Sequence, residues 1–392
     1  MEQFDVVIVG AGASGLMCAA TAGYRGRSVL VIEHTAKIGR KILMSGGGRC
    51  NFTNLHNSPA NFLSENPHFC KSALSSYRVQ DFIDLVDRHG VEYHEKTLGQ
   101  LFCNESSKEI LRVLLTESEW AGNEIRTETS LEKVEPQASG YLLKTSSGDI
   151  QAESVVIATG GLSIPNGGAT SFAYDVAAQY GLQVLPRSAA LVPFTLQPKD
   201  KELLKELSGV SHRVKATIGM HNFVESMLFT HRGLSGPAIL QISSYWQPGG
   251  EVEIDLFPEF ALLSWLKEQR EARPKAEITT IMAQQMSKRM AQILCQMFGF
   301  SGIMGNQSNK DLEAINKAFR EWRVKPSGTE GYRTAEVTIG GIDTNEINQK
   351  TMEAKKAPGL YFIGECLDVT GHLGGHNFQW AWASGFAAGK AV

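Results

Sequence analysis

The residues with the clearest chemical meaning stand near the start of the chain. There Gly10-Ala11-Gly12-Ala13-Ser14-Gly15 sets three glycines at the spacing Gly-x-Gly-x-x-Gly. Such a turn leaves backbone N–H groups bare at the start of a helix, where they bind the pyrophosphate of a dinucleotide. Gly10 permits the tight turn, Gly12 lets phosphate approach the backbone, and Gly15 lets helix and strand pack closely. Glu33, at the end of the next strand, is placed to accept hydrogen bonds from adenosine ribose hydroxyls. Its charge disfavours a 2′-phosphate, so FAD or NAD fits better than NADP. Four other residues could move protons: Cys50, His231, His372 and His376. A thiol beside Arg49 suits a lowered pKa, yet cysteine is also among the residue types most often buried. No Ser/His/Asp grouping points to hydrolysis. No metal site is expected, because two glycines between His372 and His376 argue against a continuous helix. The six cysteines are scattered without a Cys-x-x-Cys pair, which argues against zinc and against a redox-active disulfide.

The elements that must position these residues can be read around them. Phe4–Val9 is a β-branched run, a helical stretch follows through Tyr24, and Ser28–Ile32 closes a βαβ unit. Helices are expected over Asp81–His89 and Lys108–Trp120, with strands near Glu124–Glu128, Leu131–Glu135, Tyr141–Thr145 and Gln151–Ala158. The last of these runs into Thr159-Gly160-Gly161. Beyond about Ala190, prolines punctuate mixed segments, and Ile278–Gly299 reads as one long helix. Strand texture returns at Ala335–Ile339 and Leu360–Ile363, before a helical Phe378–Ala391. The chain thus reads as an α/β protein with a discontinuous dinucleotide-binding domain, 1–190 and 335–392, and an inserted domain, 191–334. Near the C-terminus, Gly359–Glu365 with Asp368 places a carboxylate just past a strand. In flavoproteins with two dinucleotide-binding domains, an acidic residue there accepts from the ribityl chain, and the following helix N-terminus can face flavin O2.

Three long blocks carry a resemblance. They are Gly39–Asn54 (GRKILMSGGGRCNFTN), Thr230–Ala238 (THRGLSGPA) and Gly371–Trp382 (GHLGGHNFQWAW). Together they resemble the BaiN/RdsA family of NAD(P)/FAD-dependent oxidoreductases, closest to its YhiN-like branch, over nearly the whole chain. The resemblance implies a glutathione-reductase-like FAD domain with an inserted domain made of a small β-barrel and helices. It implies an enzyme that uses FAD; because there is a single glycine fingerprint, NAD(P)H is expected to bind transiently at the flavin face, or another donor supplies the electrons. Activities in the family include amine oxidation, reduction of unsaturated steroid rings, and dihydrouridine formation in large-subunit ribosomal RNA. The YhiN-like branch points to the last. The Ser45–Asn51 loop is expected to lie against the flavin or to hold its phosphate, with Arg49 and Asn51 in contact. The cofactor-facing set is Gly10, Gly12, Ala13, Ser14, Gly15, Glu33, Arg40, Lys41, Ser45, Gly46, Gly47, Arg49, Cys50, Asn51, Val134, Gly160, Gly161, Gly364, Asp368, Gly375, His376, Asn377 and Phe378. Cys50, His376 and His372 are the catalytic candidates, and both histidines replace aromatics usual in the family. His231 falls in a block that shapes a turn before a helix.

Composition narrows the partners less. The net charge of −3 gives no global sign of nucleic-acid binding, and the inserted domain is nearly balanced in charge. Local basic groups such as Lys199, Lys201, Lys205, Arg213 and Lys215 usually mark a solvated face. No apolar run reaches membrane-spanning length and no leader precedes Phe4, so a cytoplasmic protein is expected. Its partner is ribosomal RNA or a small molecule. Three functions stay open: reduction of an activated C=C bond, with a 23S rRNA uridine as the specific substrate that the resemblance implies; a small-molecule enone reductase or amine oxidase; and a flavin-containing RNA-binding or ribosome-assembly factor that needs no redox step.

Overall fold

The computed structural model describes all 392 residues, and they form two compact units. One joins Met1–Ser188 with Val337–Val392, and the other is Ala189–Glu336.

The first unit is built on a seven-stranded sheet. Its strands β1 (Glu2–Val9), β2 (Val29–Ile32), β3 (Glu124–Arg126), β4 (Leu131–Pro136), β5 (Tyr141–Thr145) and β6 (Gly148–Ile157) lie in the order β3-β2-β1-β6-β5-β4. The pairings β3-β2-β1-β6 are parallel, and Val6–Val9 meet Val29–Ile32 on one side and Ser154–Ile157 on the other. β6 changes partner along its length. Its first half pairs antiparallel with β5, and Val155–Ile157 pair in parallel with the strand Leu360–Phe362. Val6, Val7 and Ile8 are fully buried because both faces of a parallel sheet are covered, so the run lacks alternation. The first helix, Ala13–Gly23, is almost all small residues and is buried nearly all round. Against it lies the C-terminal helix His376–Ala391, whose Gly385 and Gly389 permit the approach. A Cβ on Gly385 would stand 2.4 Å from the Ser14 carbonyl oxygen.

The second unit has its own core and a seven-stranded antiparallel sheet. Its outermost strands, Trp322–Val324 and Gly328–Thr329, are separated by three residues of chain. Its two edges are therefore held within about 14 Å of each other, and the sheet curls into a barrel-like form. The long helix expected over Ile278–Gly299 is two helices, Ile278–Met282 and Lys288–Phe298. Ser287 explains the break: its side chain accepts from Met290 N–H and caps the second helix, as serine does far better than it extends one.

Candidate active site

Parallel strands end on one edge of the sheet, and there their loops converge. β1 runs into Gly10, β6 into Thr159–Gly161, and Leu360–Phe362 into Gly364. These loops touch. A Cβ on Gly10 would lie 2.6 Å from the Ala158 carbonyl oxygen, and one on Gly364 would lie 2.6 Å from Ser14 Oγ. Gly15 is closer still, its Cβ position 2.0 Å from the Gly10 oxygen. Gly12 differs, because its Cβ would meet nothing within 4 Å. The same holds for a Cβ on Gly47, Gly48 or Gly160. Gly12 gives the first helix no side-chain cap, so its N-terminal N–H groups are available to an anion. Glu33 is fastened beside them: Oε2 accepts from Ala11 N–H at 3.1 Å, and Oε1 accepts from Thr35 N–H and Oγ1–H. Thr159 Oγ1 is buried at this edge without a partner. An open glycine face, an uncapped helix start, a fixed carboxylate and an orphaned hydroxyl together fit the pyrophosphate and ribose of FAD.

A second group of elements brings the Gly39–Asn54 block to the C-terminal helix. The strand Asn51–Asn54 packs directly under Gly375, whose Cβ would stand 2.4 Å from the Thr53 carbonyl oxygen. With the Asn51 amide turned so that its oxygen faces Gly375 N, that bond is 3.1 Å, and its NH2 donates to the Thr53 and Leu101 carbonyls. Gly375 (φ +95°) starts the 16-residue helix without a side-chain cap, leaving a second set of free N–H groups. The fingerprint loop and this wall are tied by Gly39 N–H, which donates to the Ala11 carbonyl.

The sequence matches the HI0933-like protein Rossmann domain over residues 4–391. The chain belongs to that family. It is 52% identical to the ribosomal RNA dihydrouridine synthase of Escherichia coli (strain K12), over 100% of this chain and 98% of that protein. It is 46% identical to the protein of the same name in Haemophilus influenzae, covering 100% and 99%. A third relative, the 3-dehydro-bile acid delta(4,6)-reductase of Clostridium scindens, is 27% identical over 98% of each chain. Among solved structures, an open-conformation flavocytochrome c3 fumarate reductase superposes with a TM-score of 0.50 at 15% identity, covering 99% of this chain and 78% of that one. The 3-ketosteroid-delta4-(5alpha)-dehydrogenase of Rhodococcus jostii RHA1 does so equally, at 99% and 97%. The fold is thus that of an FAD-binding oxidoreductase.

Within this HI0933-like fold, three expected roles change. The Cys50 thiol is fully buried, and burial pushes its pKa far up, so it is a neutral core group and neither a thiolate nor a ready acid. Val134 is buried too. Its carbonyl accepts from Gln179 and Tyr180, and the residue beside Glu33 is Thr129, whose N–H donates to the Glu33 carbonyl. His376 is 5% exposed, and burial, followed by the neighbouring His372 and His56, holds its pKa down at about 3. Its Nδ1 lies 2.8 Å from Asn57 Oδ1, an acceptor, so Nδ1 carries the proton and Nε2 is left to accept. A neutral ring in that tautomer is a hydrogen-bond acceptor and a poor acid.

Other side chains keep their place by a different contact than expected. Asn377 grips the turn before its helix, accepting from Gly371 N–H and donating to the Gly371 and His372 carbonyls, while the Phe378 ring stacks on Trp382. Arg40 donates to the Asn166 carbonyl, and Arg49 is exposed. Asp368 is buried, and its Oδ2 accepts from Glu65 N–H, with burial raising its pKa. Its Oδ1 carries no protein hydrogen bond and suits a ribityl hydroxyl. His372 is half-buried; its N–H donates to the Asn61 carbonyl, and its ring stands 6.4 Å from that of His376 at right angles. In the second unit, His231 sits exposed on the turn between strands His221–Phe229 and Gly233–Ser235.

Sequence reasoning passed over Glu365, which organises this edge. Its Oε2 accepts from Lys41 Nζ at 2.6 Å, and its Oε1 accepts from Ser163 Oγ and Thr338 N–H at 3.0 Å. Lys41 Nζ also donates to Ser163 Oγ at 2.6 Å. The signal was present, since Glu365 stands two residues past the same strand that nominated Asp368. Asn57, which fixes the His376 tautomer, left no trace in the sequence. A cavity of about 570 Å³ opens elsewhere in the first unit, among Met17, Tyr24, Tyr77, Trp120 and Phe386. It shares no residue with the fingerprint edge.

Proposed function

We propose that this chain is an FAD-dependent reductase of an activated C=C bond, and that its substrate is a uridine of ribosomal RNA. The observation carrying this reading is the 52% identity, over the full length of both chains, to a protein named ribosomal RNA dihydrouridine synthase. A more distant relative named for reduction of a conjugated steroid supports the same bond chemistry.

Gly12 and the start of the first helix bind the pyrophosphate, Glu33 and Thr159 the adenosine side, and Asp368 Oδ1 the ribityl chain. Bound FAD supplies hydride from its reduced ring to one carbon of the double bond. The N–H groups of the first helical turn, at His376–Phe378, would favour the negative charge of the reduced ring. The neighbouring carbon needs a proton. Cys50 and His376 are unsuited to giving one, and His372, half-exposed at the same turn, is the donor. His376 Nε2 accepts from a substrate N–H, for which the uracil N3–H is suited. NAD(P)H binds transiently as electron donor, since the chain has a single glycine fingerprint. Mass spectrometry of ribosomal RNA from a deletion strain tests the reading. Loss of one dihydrouridine, restored by the gene and not by a variant unable to bind FAD, is expected; unchanged dihydrouridine refutes it.

A further inference from the structure

A uridine in folded RNA is stacked between neighbours, so reducing its C5=C6 bond requires an element that pulls it out and holds it out. The second unit carries a feature of the right chemistry. Strands Ser211–Ile218 and His221–Phe229 form an antiparallel hairpin in which Ile218 faces His221, leaving Gly219 and Met220 as a two-residue turn. Gly219 takes the left-handed conformation (φ +56°) that such a turn requires. Met220 is 93% exposed at its point, so its side chain is accessible to a partner. Next to it the exposed His221 ring lies on Tyr245, with centroids 3.9 Å apart and planes 22° off parallel, and Phe223 adds a third ring 6.0 Å from Tyr245. Cross-strand partners share a face, so Lys215, Thr217 and Asn222 line the other side of the tip. From Ser211 to Val224 there are two cations and no carboxylate, in a chain of net charge −3. Arg213 is taken by Glu259, and Asp255, level with Lys215, is taken by Arg320, which leaves Lys215 for phosphate.

We propose that this hairpin tip is a base-stacking wedge for RNA, in which Met220 enters a base step and the Tyr245-backed His221 ring covers an exposed base face. The inference rests on the reading of the substrate as ribosomal RNA. Apolar wedges of this kind open base steps, and a ring stacked on one side offers its other side to a base. Glu253, level with Thr217, and Asp255, level with Lys215, are each paired with an arginine, so Lys215 remains to favour a polyanion over a protein surface.

Filter binding of an in vitro 23S rRNA transcript to the FAD-loaded enzyme, with Met220→Ser and His221→Ala, tests it. Each substitution is expected to weaken binding about 10- to 100-fold, the range for losing one stacked base, while melting temperature and flavin spectrum stay put. Binding within twofold of the unaltered protein overturns the wedge, as does no binding by the unaltered protein at all. Dihydrouridine in the transcript, read by mass spectrometry, judges the reaction separately. Product formed equally by both variants removes the wedge and keeps the reaction. Met220-dependent binding without product keeps the wedge and removes the reaction.

Discussion

Gly12 and Gly15 stand three residues apart in one turn, and the structure assigns them opposite jobs. Replacing Gly15 with Ala puts a methyl 2.0 Å from the Gly10 carbonyl oxygen and 3.3 Å from Ala158 Cβ. Backbone must move on both sides, which costs roughly 3 kcal/mol on the scale of overpacked cores. For the first unit, Met1–Ser188 with Val337–Val392, that lowers the melting temperature of the apoprotein by about 6–12 °C. Replacing Gly12 with Ala adds a methyl that meets no protein atom, on backbone (φ −92°, ψ −168°) open to any residue. Only the weaker helix-capping tendency of alanine is lost, at most about 1 kcal/mol. The methyl does occupy the approach to the free N–H groups, however. Weakening one charge-assisted hydrogen bond to phosphate costs about 1.5–3 kcal/mol, equivalent to roughly 10- to 150-fold in FAD affinity. Circular dichroism melts of apoprotein and fluorescence titration with FAD separate the two effects. Equal destabilisation by both substitutions, or wild-type FAD affinity in Gly12→Ala, would refute phosphate binding at Gly12.

Three further outcomes are expected. Cys50→Ala lowers stability by about 1–2 kcal/mol through a small cavity, yet leaves flavin reoxidation by substrate within about twofold; a hundredfold loss would restore the thiol to the chemistry. Glu365→Gln leaves an amide NH2 facing either Lys41 or the Thr338 N–H. FAD affinity is expected to fall about tenfold, and a cycle with Lys41→Met to show about 1–2 kcal/mol of coupling, reduced by partial exposure; zero coupling would mean that the pair is decorative. His376 has a folded-state pKa of about 3 against an ordinary 6.5, so below pH 6.5 the unfolded chain takes up a proton that the folded chain does not. Stability then falls by about 1.4 kcal/mol per pH unit as pH drops from about 6 toward 4. Urea unfolding of apoprotein at pH 7.5 and pH 5 is expected to show His376→Asn losing about 2 kcal/mol less than the unaltered chain; equal losses would mean that the ring is charged when folded.

Much of the frame was legible because it is written in local pattern. Phe4–Val9 reads as buried strand from its β-branched run, and Gly10, Gly12 and Gly15 declare the turn after it, since few other residues fit there. Lys108–Trp120 forms the helix expected at those bounds, because its apolar positions repeat at helical spacing. The helix over Ile278–Gly299 was misread as continuous because the hydrophobic pattern runs through Ser287, and whether a serine caps or merely interrupts depends on chain direction beyond it. The candidate site was legible where backbone makes it and obscure where side chains choose partners across the fold. Asn51, Asn57 and Asn377 look alike in sequence, yet one clamps Gly375, one orients His376 and one closes the Gly371 turn.

That division bears on the chemistry. Burial deprives Cys50 and His376 of ready acidity, and contact with Asn57 turns the His376 proton away from Nε2. An acid at this site must keep water access to reload its proton after each turnover, and a buried ring cannot. In the proposed reading His372 fits that requirement, because the Asn61 carbonyl and Asn377 hold its backbone and the residue is only partly buried. In the proposed reading the two histidines therefore divide the work: the buried His376 serves as an oriented acceptor and the partly buried His372 as a renewable acid.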